Sequence, residues 1–338
     1  MDLAFANGDA RGATSSDEPQ GVVPLGAADA LRAALHSLLD QLGRRDYSFV
    51  TSTPTSHARV VARPDRQHAG SLRDVFGWSL PFDAELLAPE MFEPLHDAGV
   101  LVRQDDGRFK SQVRVSTVHG TPFLHSAYPT IAHDSVFLGP DSYRFADLIL
   151  AQMQRLGEGA RILDYAAGAG VGGITAAVHR RGAALTMADI NPKALFLASI
   201  NAAHAGLDAQ AVEVAAPGDV QGGFDLIVTH PPFMIDAEAR AYRDGGDLHG
   251  ARLSLDWVLA GAKKLNPGGQ LILHTGVAIV DGADVLRPHL EEALPALGCR
   301  LWYHELDPDI FGDELSNDAY ADVERIAAVG AVVTREAA

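Results

Sequence analysis

The chain reads as an α/β protein: a doubly wound, mostly parallel sheet in its C-terminal part, preceded by a smaller α+β domain. Three observations predict this. From Arg161 onward, short apolar runs alternate with segments of helical period, the pattern of strand and crossover helix. Within Arg161–Ile174, the strand Ile162–Leu163–Asp164 runs into a turn of small residues, Ala166, Ala167, Gly168, Ala169 and Gly170, and then into a helix. Two later apolar runs also end on polar signals, at Asp189 and at Thr229-His230-Pro231-Pro232-Phe233. In sheets of this kind ligands lie at the carboxyl ends of the strands.

A length of 338 residues accommodates two domains. Residues 1–24 are small and polar and predict a disordered N-terminus without a secretory signal. Residues 25–133 form the first domain and 134–338 the second, with the boundary near Ile131–Gly139. The single Cys299 excludes a disulfide framework and a multi-cysteine zinc site, so no metal is expected and the cytoplasm is the expected compartment. No apolar run has membrane-spanning length. The formal net charge of −17 argues against a grip on bulk nucleic acid and for a small or cationic partner.

Ala27–Leu42 places Leu31, Leu35, Leu38, Leu39 and Leu42 at helical spacing, and Gly43 ends it. Short helices are expected at Leu72–Phe76 and Ala84–Leu87, and another at Ala88–Gly99. Leu101–Arg103, a turn at Asp105–Gly107 and the alternating run Phe109–Val118 predict a ribbon. Helices followed by a ribbon give a winged-helix-like domain. Its candidate recognition segment is acidic, with Glu85, Glu90, Glu93 and Asp97. A substrate-covering or homodimer-forming role is therefore preferred to nucleic-acid binding. Thr121–Asp141 reads as a connector with Pro122, Pro129 and Pro140, followed by an amphipathic helix at Ser142–Leu156.

In the second domain, strands are expected at Arg161–Asp164, Ala184–Ala188, Ala211–Ala215, Phe224–Thr229, Gln270–His274, Arg300–Glu305 and Ile326–Val333. Helices are expected at Val171–Arg181, Pro192–Ala205, Ala251–Leu265 and Ala283–Leu294. A turn without bulky side chains lets backbone approach a ligand, and the first N–H groups of the next helix attract polar groups. Asp189, about 20–25 residues beyond that turn, is placed to accept hydrogen bonds from ribose hydroxyls; the plainer reading is a cap on the helix starting at Pro192. The two prolines of the third strand end fix its backbone and remove two N–H donors. The carbonyls of His230 and Pro231 can then accept from an amino group, and Phe233 can stack on it.

Together LDYAAGAG, MADINPKAL and THPPF resemble class I S-adenosylmethionine-dependent methyltransferases. The last motif looks like the Asn/Asp/Ser-Pro-Pro-aromatic motif of the amino-group branch, which includes release-factor glutamine-N5 and ribosomal RNA guanine-N2 enzymes. Gly245–Gly250 and Leu265–Gly269 also look like later segments of the family. The resemblance covers about Asp134 to Val333 and implies a seven-stranded sheet with its last strand antiparallel. It implies S-adenosyl-L-methionine as cofactor, with contacts from Asp164, Ala166, Gly168, Gly170, Asp189, Ile190 and Thr229. Tyr143 lies where family members cover the methionine end. Near the adenine, Glu213, Ala215 and Asp219 stand as equal choices. Two departures stand out: Ala166 replaces the first glycine of the turn, and His230 replaces Asn, Asp or Ser. His230 either orients an amino group, takes its proton, or caps the loop.

The function expected is methyl transfer to an amino, amide or guanidino nitrogen of a small molecule or protein side chain, with His230, Pro231, Pro232 and Phe233 at the catalytic position. An RNA-base methyltransferase and a non-catalytic cofactor-binding regulator are the alternatives. A dehydrogenase is weaker, because the turn is not GxGxxG. Glu305 and Asp307, in the acidic run Tyr303–Leu315, together with His249, are candidates for binding the acceptor. The run reads equally as a site for a cationic group or as a solvated loop.

Overall fold

The computed structural model describes residues 25–153, 156–180, 182–236 and 243–337. The expected disorder of residues 1–24, and residues 154, 155 and 181 at two predicted helix ends, lie outside them. Contacts divide the chain into two units: residues up to Thr117 with Leu124–Pro129, and Val118–Phe123 with the residues from Thr130 on.

In the first unit, α1 (Leu25–Gly43) buries Leu31, Leu35, Leu38, Leu39 and Leu42, the stripe read from the sequence. Next comes α2 (Pro54–Val61), which was not foreseen. It starts on a recognisable signal, with Pro54 in its first turn and the Thr53 hydroxyl accepting from Ser56 N–H at 3.2 Å. The short α3 (Leu72–Phe76) and α4 (Pro89–Asp97) follow, with a single 3₁₀ turn at Ala84–Leu86 between them. Then β1 (Leu101–Arg103) pairs antiparallel with β2 (Phe109–Ser111). The predicted strand Phe109–Val118 is in fact two: it breaks at Gln112, whose N–H donates to Val100 O at 2.8 Å, and resumes as β3 (Val113–Val118). The predicted connector also contains a strand, β4 (Thr121–Ser126), paired with β3. His119 and Gly120, both with positive φ, make the tight turn between them.

The second unit is the expected doubly wound sheet. After α5 (Pro140–Gln152) come β5 (Arg161–Tyr165), α6 (Val171–Val178), β6 (Ala184–Asp189), α7 (Pro192–His204), β7 (Ala209–Glu213) and β8 (Phe224–Thr229). They are followed by α8 (Arg252–Ala262), β9 (Leu265–Val280), β10 (Ala283–Asp284), α9 (Arg287–Ala293), β11 (Cys299–Asp307) and β12 (Arg325–Arg335). The strand order is β11-β12-β9-β8-β5-β6-β7, with β10 pairing β9. Strands β5 to β9 are mutually parallel, and the last strand, β12, runs antiparallel to both neighbours. Helices α5, α6 and α7 cover one face, and α8 and α9 the other.

Two boundaries differ from the sequence reading. The predicted helix Ala283–Leu294 begins with β10. Helix starts only after Asp284, whose Oδ1 accepts from the N–H groups of Leu286 and Arg287 at 2.8 Å each. Strand β9 runs 16 residues, well past His274, because Leu271–Ile279 is buried throughout and pairs with β12 along its length. A strand covered on both faces need not alternate. The reversal of strand order falls between β5 and β8, which opens a crevice at their carboxyl ends.

Candidate active site at the strand ends

Strand β5 delivers Asp164 to the start of the glycine turn. The carboxylate is 1% exposed, and its Oδ2 accepts from Gly173 N–H at 2.7 Å. Burial pushes the carboxyl up to about 8, against the Gly173 hydrogen bond and with the Asp189 charge adding to the rise. Asp164 therefore ties α6 onto β5. Gly173 has to be glycine here, since a Cβ would stand 2.7 Å from the Asp164 Cβ.

Ala166 takes φ 58, a left-handed conformation in a residue with a Cβ. That conformation costs about 1–2 kcal/mol relative to right-handed backbone, which explains why glycine is the ordinary choice. Gly168 and Gly170 also have positive φ, 53 and 83. The space a Cβ would fill at Gly168 is open, with only Ala166 O at 4.0 Å. At Gly170, by contrast, a Cβ would meet Ile174 Cδ1 at 2.8 Å, so this glycine serves packing as well as the turn.

Asp189 closes β6 and reaches back to the turn. Its Oδ2 accepts from Gly168 N–H at 2.8 Å and its Oδ1 from Asn191 N–H at 2.9 Å. Burial raises its pKa, and backbone N–H groups of Asn191, Gly168 and Ile190 oppose the rise. The helix cap suggested for Asp189 belongs to Asn191, whose Oδ1 accepts from Lys193 and Ala194 N–H at 3.0 and 3.4 Å. A carboxylate has about four acceptor sites, so these three backbone donors leave room for a hydroxyl donor. Beside it Ile190 is 55% exposed, an apolar face at the crevice. Thr229, by contrast, is buried and donates its hydroxyl to Tyr165 O at 2.9 Å, locking β8 to β5. Tyr143 stands half-buried in the first turn of α5.

The loop after β8 rests on β9. His230 Nδ1 lies 2.9 Å from the His274 carbonyl oxygen and 3.3 Å from His274 Nδ1. Burial lowers the His230 pKa, while Asp141 and the His274 carbonyl oppose the fall. His274 is fully buried, and its pKa is held well below the ordinary imidazole value by burial, His230 and Arg144. Phe145 of α5 covers both imidazoles, with ring centroids 5.6 and 6.3 Å away. Also on α5, Arg144 pairs with Asp141 at 2.9 Å and with Asp307 of β11 at 2.7 Å. Among the described residues no hydrogen bond ends on the carbonyl oxygens of His230 or Pro231.

Three glycines mould this loop. A Cβ at Gly245 would stand 1.9 Å from Gly250 O and 2.7 Å from Phe233 Cα, and one at Gly250 would stand 2.3 Å from Phe233 O. At Gly276 of β9 a Cβ would stand 2.3 Å from the Phe233 ring. Phe233 is only 8% exposed, lying on Gly276 with Phe311 at 5.6 Å. The ring anchors the loop in the core, and the open stacking face expected of it is closed. The acidic candidates carry partners of their own: Arg325 grips Glu305 with two contacts of 3.0 Å, and Arg144 grips Asp307. His249 Nε2 meets both Asp322 oxygens at 3.1 Å.

Sequence reasoning missed Asp141, His274, Gly276 and the capping Asn191. His274 had a visible signal, a histidine inside the apolar run LILHTGVAIV. The other three show their roles only through long-range neighbours.

A sheet of this order, with a glycine turn, an acid and a Pro-Pro loop on successive strand ends, defines the class I methyltransferase fold. Residues 131–276 match the family model of the methyltransferase small domain. The chain is 33% identical over 181 residues to the release factor glutamine methyltransferase of Deinococcus radiodurans, covering 52% of this chain and 63% of that protein. It is 33% identical over 125 residues to the ribosomal RNA small subunit methyltransferase C of Pasteurella multocida, covering 37% and 35%. These matches span less than two thirds of each relative's length. Among solved structures, the ribosomal protein L11 methylase of Lactobacillus delbrueckii subsp. bulgaricus has a TM-score of 0.40 at 18% identity, over 57% of this chain and 80% of that one. Among the described residues no helix is long and apolar enough to cross a membrane.

Proposed function

We propose that this chain is an S-adenosylmethionine-dependent N-methyltransferase whose acceptor is a nitrogen of a small molecule or a protein side chain, acting in the cytoplasm. The observation that carries the reading is the pairing of two features at one crevice. One is a glycine turn tied to a carboxylate with spare acceptor capacity; the other is a rigid loop with two carbonyl oxygens that accept no hydrogen bond among the described residues.

The residues present fit the cofactor. Asp189 would take its ribose hydroxyls, the open side of Gly168 would admit it close to backbone, and Ile190 would meet its base. When bound, S-adenosylmethionine supplies an electrophilic methyl group on a sulfonium. The chain's own task is orientation, which accounts for much of the rate in such displacements. The carbonyls of His230 and Pro231 accept the acceptor's N–H groups and aim its lone pair. Pro231 and Pro232 hold those carbonyls without offering competing donors. Around them, Phe145 and Phe233 exclude water.

Methylation of an RNA base is the second reading, supported by the likeness to the ribosomal RNA methyltransferase and opposed by the net charge of −17. The test is incubation with methyl-labelled S-adenosylmethionine and fractionated cell extract, followed by mass spectrometry. Label in protein or low-mass fractions is the expected result. Label in RNA selects the second reading. Tight cofactor binding without label in any fraction selects a non-catalytic regulator.

A further inference from the structure

We infer, on the methyltransferase reading above, that the acceptor is an aliphatic amine rather than a carboxamide, with His230 as the base that takes its proton. A carbonyl oxygen only accepts, so the 2.9 Å contact with His274 O puts the His230 proton on Nδ1. The lone pair of the neutral ring is then on Nε2. His274 Nδ1, 3.3 Å from the same N–H, must also be an acceptor, which leaves the His274 proton on Nε2. That Nε2 is sealed in the core with no partner, whereas His230 is half-buried and its Nε2 is not among the sealed atoms. Strand β9 thus fixes both tautomers from beneath the loop, and His274 is a positioning residue.

Among the described residues, the atoms that positions 230 and 231 leave for an acceptor are His230 Nε2 and the two carbonyl oxygens; the remaining N–H of the loop is that of Phe233, a residue only 8% exposed. The first three atoms accept and none of them donates. A carboxamide brings a carbonyl of its own that needs a donor. An Asn at position 230, as the family motif has it, supplies one, and the neutral His230 does not. An unmatched carbonyl costs about 10- to 100-fold in binding. An ammonium is the complementary group, with three donors and no acceptor. It also has no lone pair until a proton leaves, a requirement that an amide does not share.

The charged and titratable groups around His230 suit that proton. Asp141 faces it from α5 and His274 from β9, while Arg144 of α5 acts on His274 and pairs with Asp141 and with Asp307 of β11. The Asp141 charge favours the imidazolium once formed, while burial keeps the resting ring neutral. In the step, R–NH₃⁺ gives one proton to His230 Nε2, and the freed lone pair forms the N–CH₃ bond. The S–CH₃ bond of the sulfonium breaks, and its electron pair stays on sulfur as a neutral thioether. The product leaves as R–NH₂⁺–CH₃, and His230 returns its proton to water.

Nitrogen-15 NMR of the imidazoles in the acceptor-free protein is the first test. His230 should show the Nδ1–H form and titrate below the ordinary 6.5; an Nε2–H form overturns the assignment. The second test hydrolyses the labelled product of the extract incubation in strong acid. Label kept on a methylated alkyl amine supports the inference. Volatile methylamine from a split amide, or a methylated base, overturns it and leaves methyl transfer standing. No label anywhere overturns methyl transfer as well. His230→Gln should slow turnover about 10²-fold and abolish the acid limb of the pH profile, with the cofactor Kd unchanged. An unaltered rate overturns the base role.

Discussion

The glycine turn with Asp189 and the His230–Phe233 loop stand at the ends of neighbouring strands but are built differently. Main-chain N–H groups donating to carboxylates hold the turn: Gly173 to Asp164 and Gly168 to Asp189. Packing against residues remote in sequence holds the loop, with Gly245 and Gly250 against the Phe233 backbone and Gly276 beneath its ring. The first arrangement depends on hydrogen bonds between main-chain N–H groups and two aspartates close by. The second depends on shape, and a single added methyl group disturbs it.

The sharpest way to break this comparison is Gly245→Ala. Its Cβ would collide with backbone at 1.9 Å, so the loop must shift. Turnover should fall about 10²-fold or more, as misplacements near 1 Å do, while cofactor Kd measured by calorimetry stays near wild type. Asp189→Ala should do the reverse. Losing an ionised hydrogen-bond acceptor weakens cofactor binding about 10- to 100-fold, with turnover at saturating cofactor largely kept.

The difference in pH-dependent stability between the wild type and Asp164→Asn probes the turn, because buried histidines such as His230 and His274, with lowered pKa values, contribute in the opposite direction. Asp164 titrates at 3.8 when unfolded and at about 8 when folded, so across that window the folded state holds the extra proton. Stability is therefore fully present below the lower value and is lost as pH rises through the upper one. Relative to Asp164→Asn, the wild type should lose about 2–3 kcal/mol of stability in urea titrations between about pH 5 and pH 7. The smallest effect is expected at Ala166. Replacing it by glycine relieves the left-handed strain but frees the unfolded chain, for a net gain of about 0.5–1 kcal/mol in the same titration.

The contrast also explains what could be read from the sequence. The turn, Asp164 and Gly173 lie within a few residues of one another, so their relation is printed in the order of the chain. Strands β5, β6 and β8 were found within a residue or so because each is a compact apolar run ending on a polar signal. The loop was located by its prolines, but the burial of Phe233 was not, since Gly276 beneath it belongs to another strand. Likewise, nothing local to His230 announces His274 or Asp141. In the first unit α2 was missed because PTSHARVV has no sustained apolar stripe. Strand β4 was hidden by Pro122 in a segment that otherwise looks like a connector.

Strand β9 has one more consequence. Its pairing with β8 ends at Leu273 opposite Thr229, yet it continues to Ile279 against β12. The overhanging residues form a bench on which the loop lies, with His274 under one ring and Gly276 under another. Residues two apart share a face of a strand, so removing one residue between them would invert one end of the bench. Either a side chain would then occupy the hollow that now receives Phe233, or the imidazole that fixes His230 would turn to the opposite face of the sheet, depending on which end of the strand keeps its register. The length and parity of this strand therefore matter to the site independently of which residues face the ligand. An insertion of two residues should do less harm there than a deletion of one.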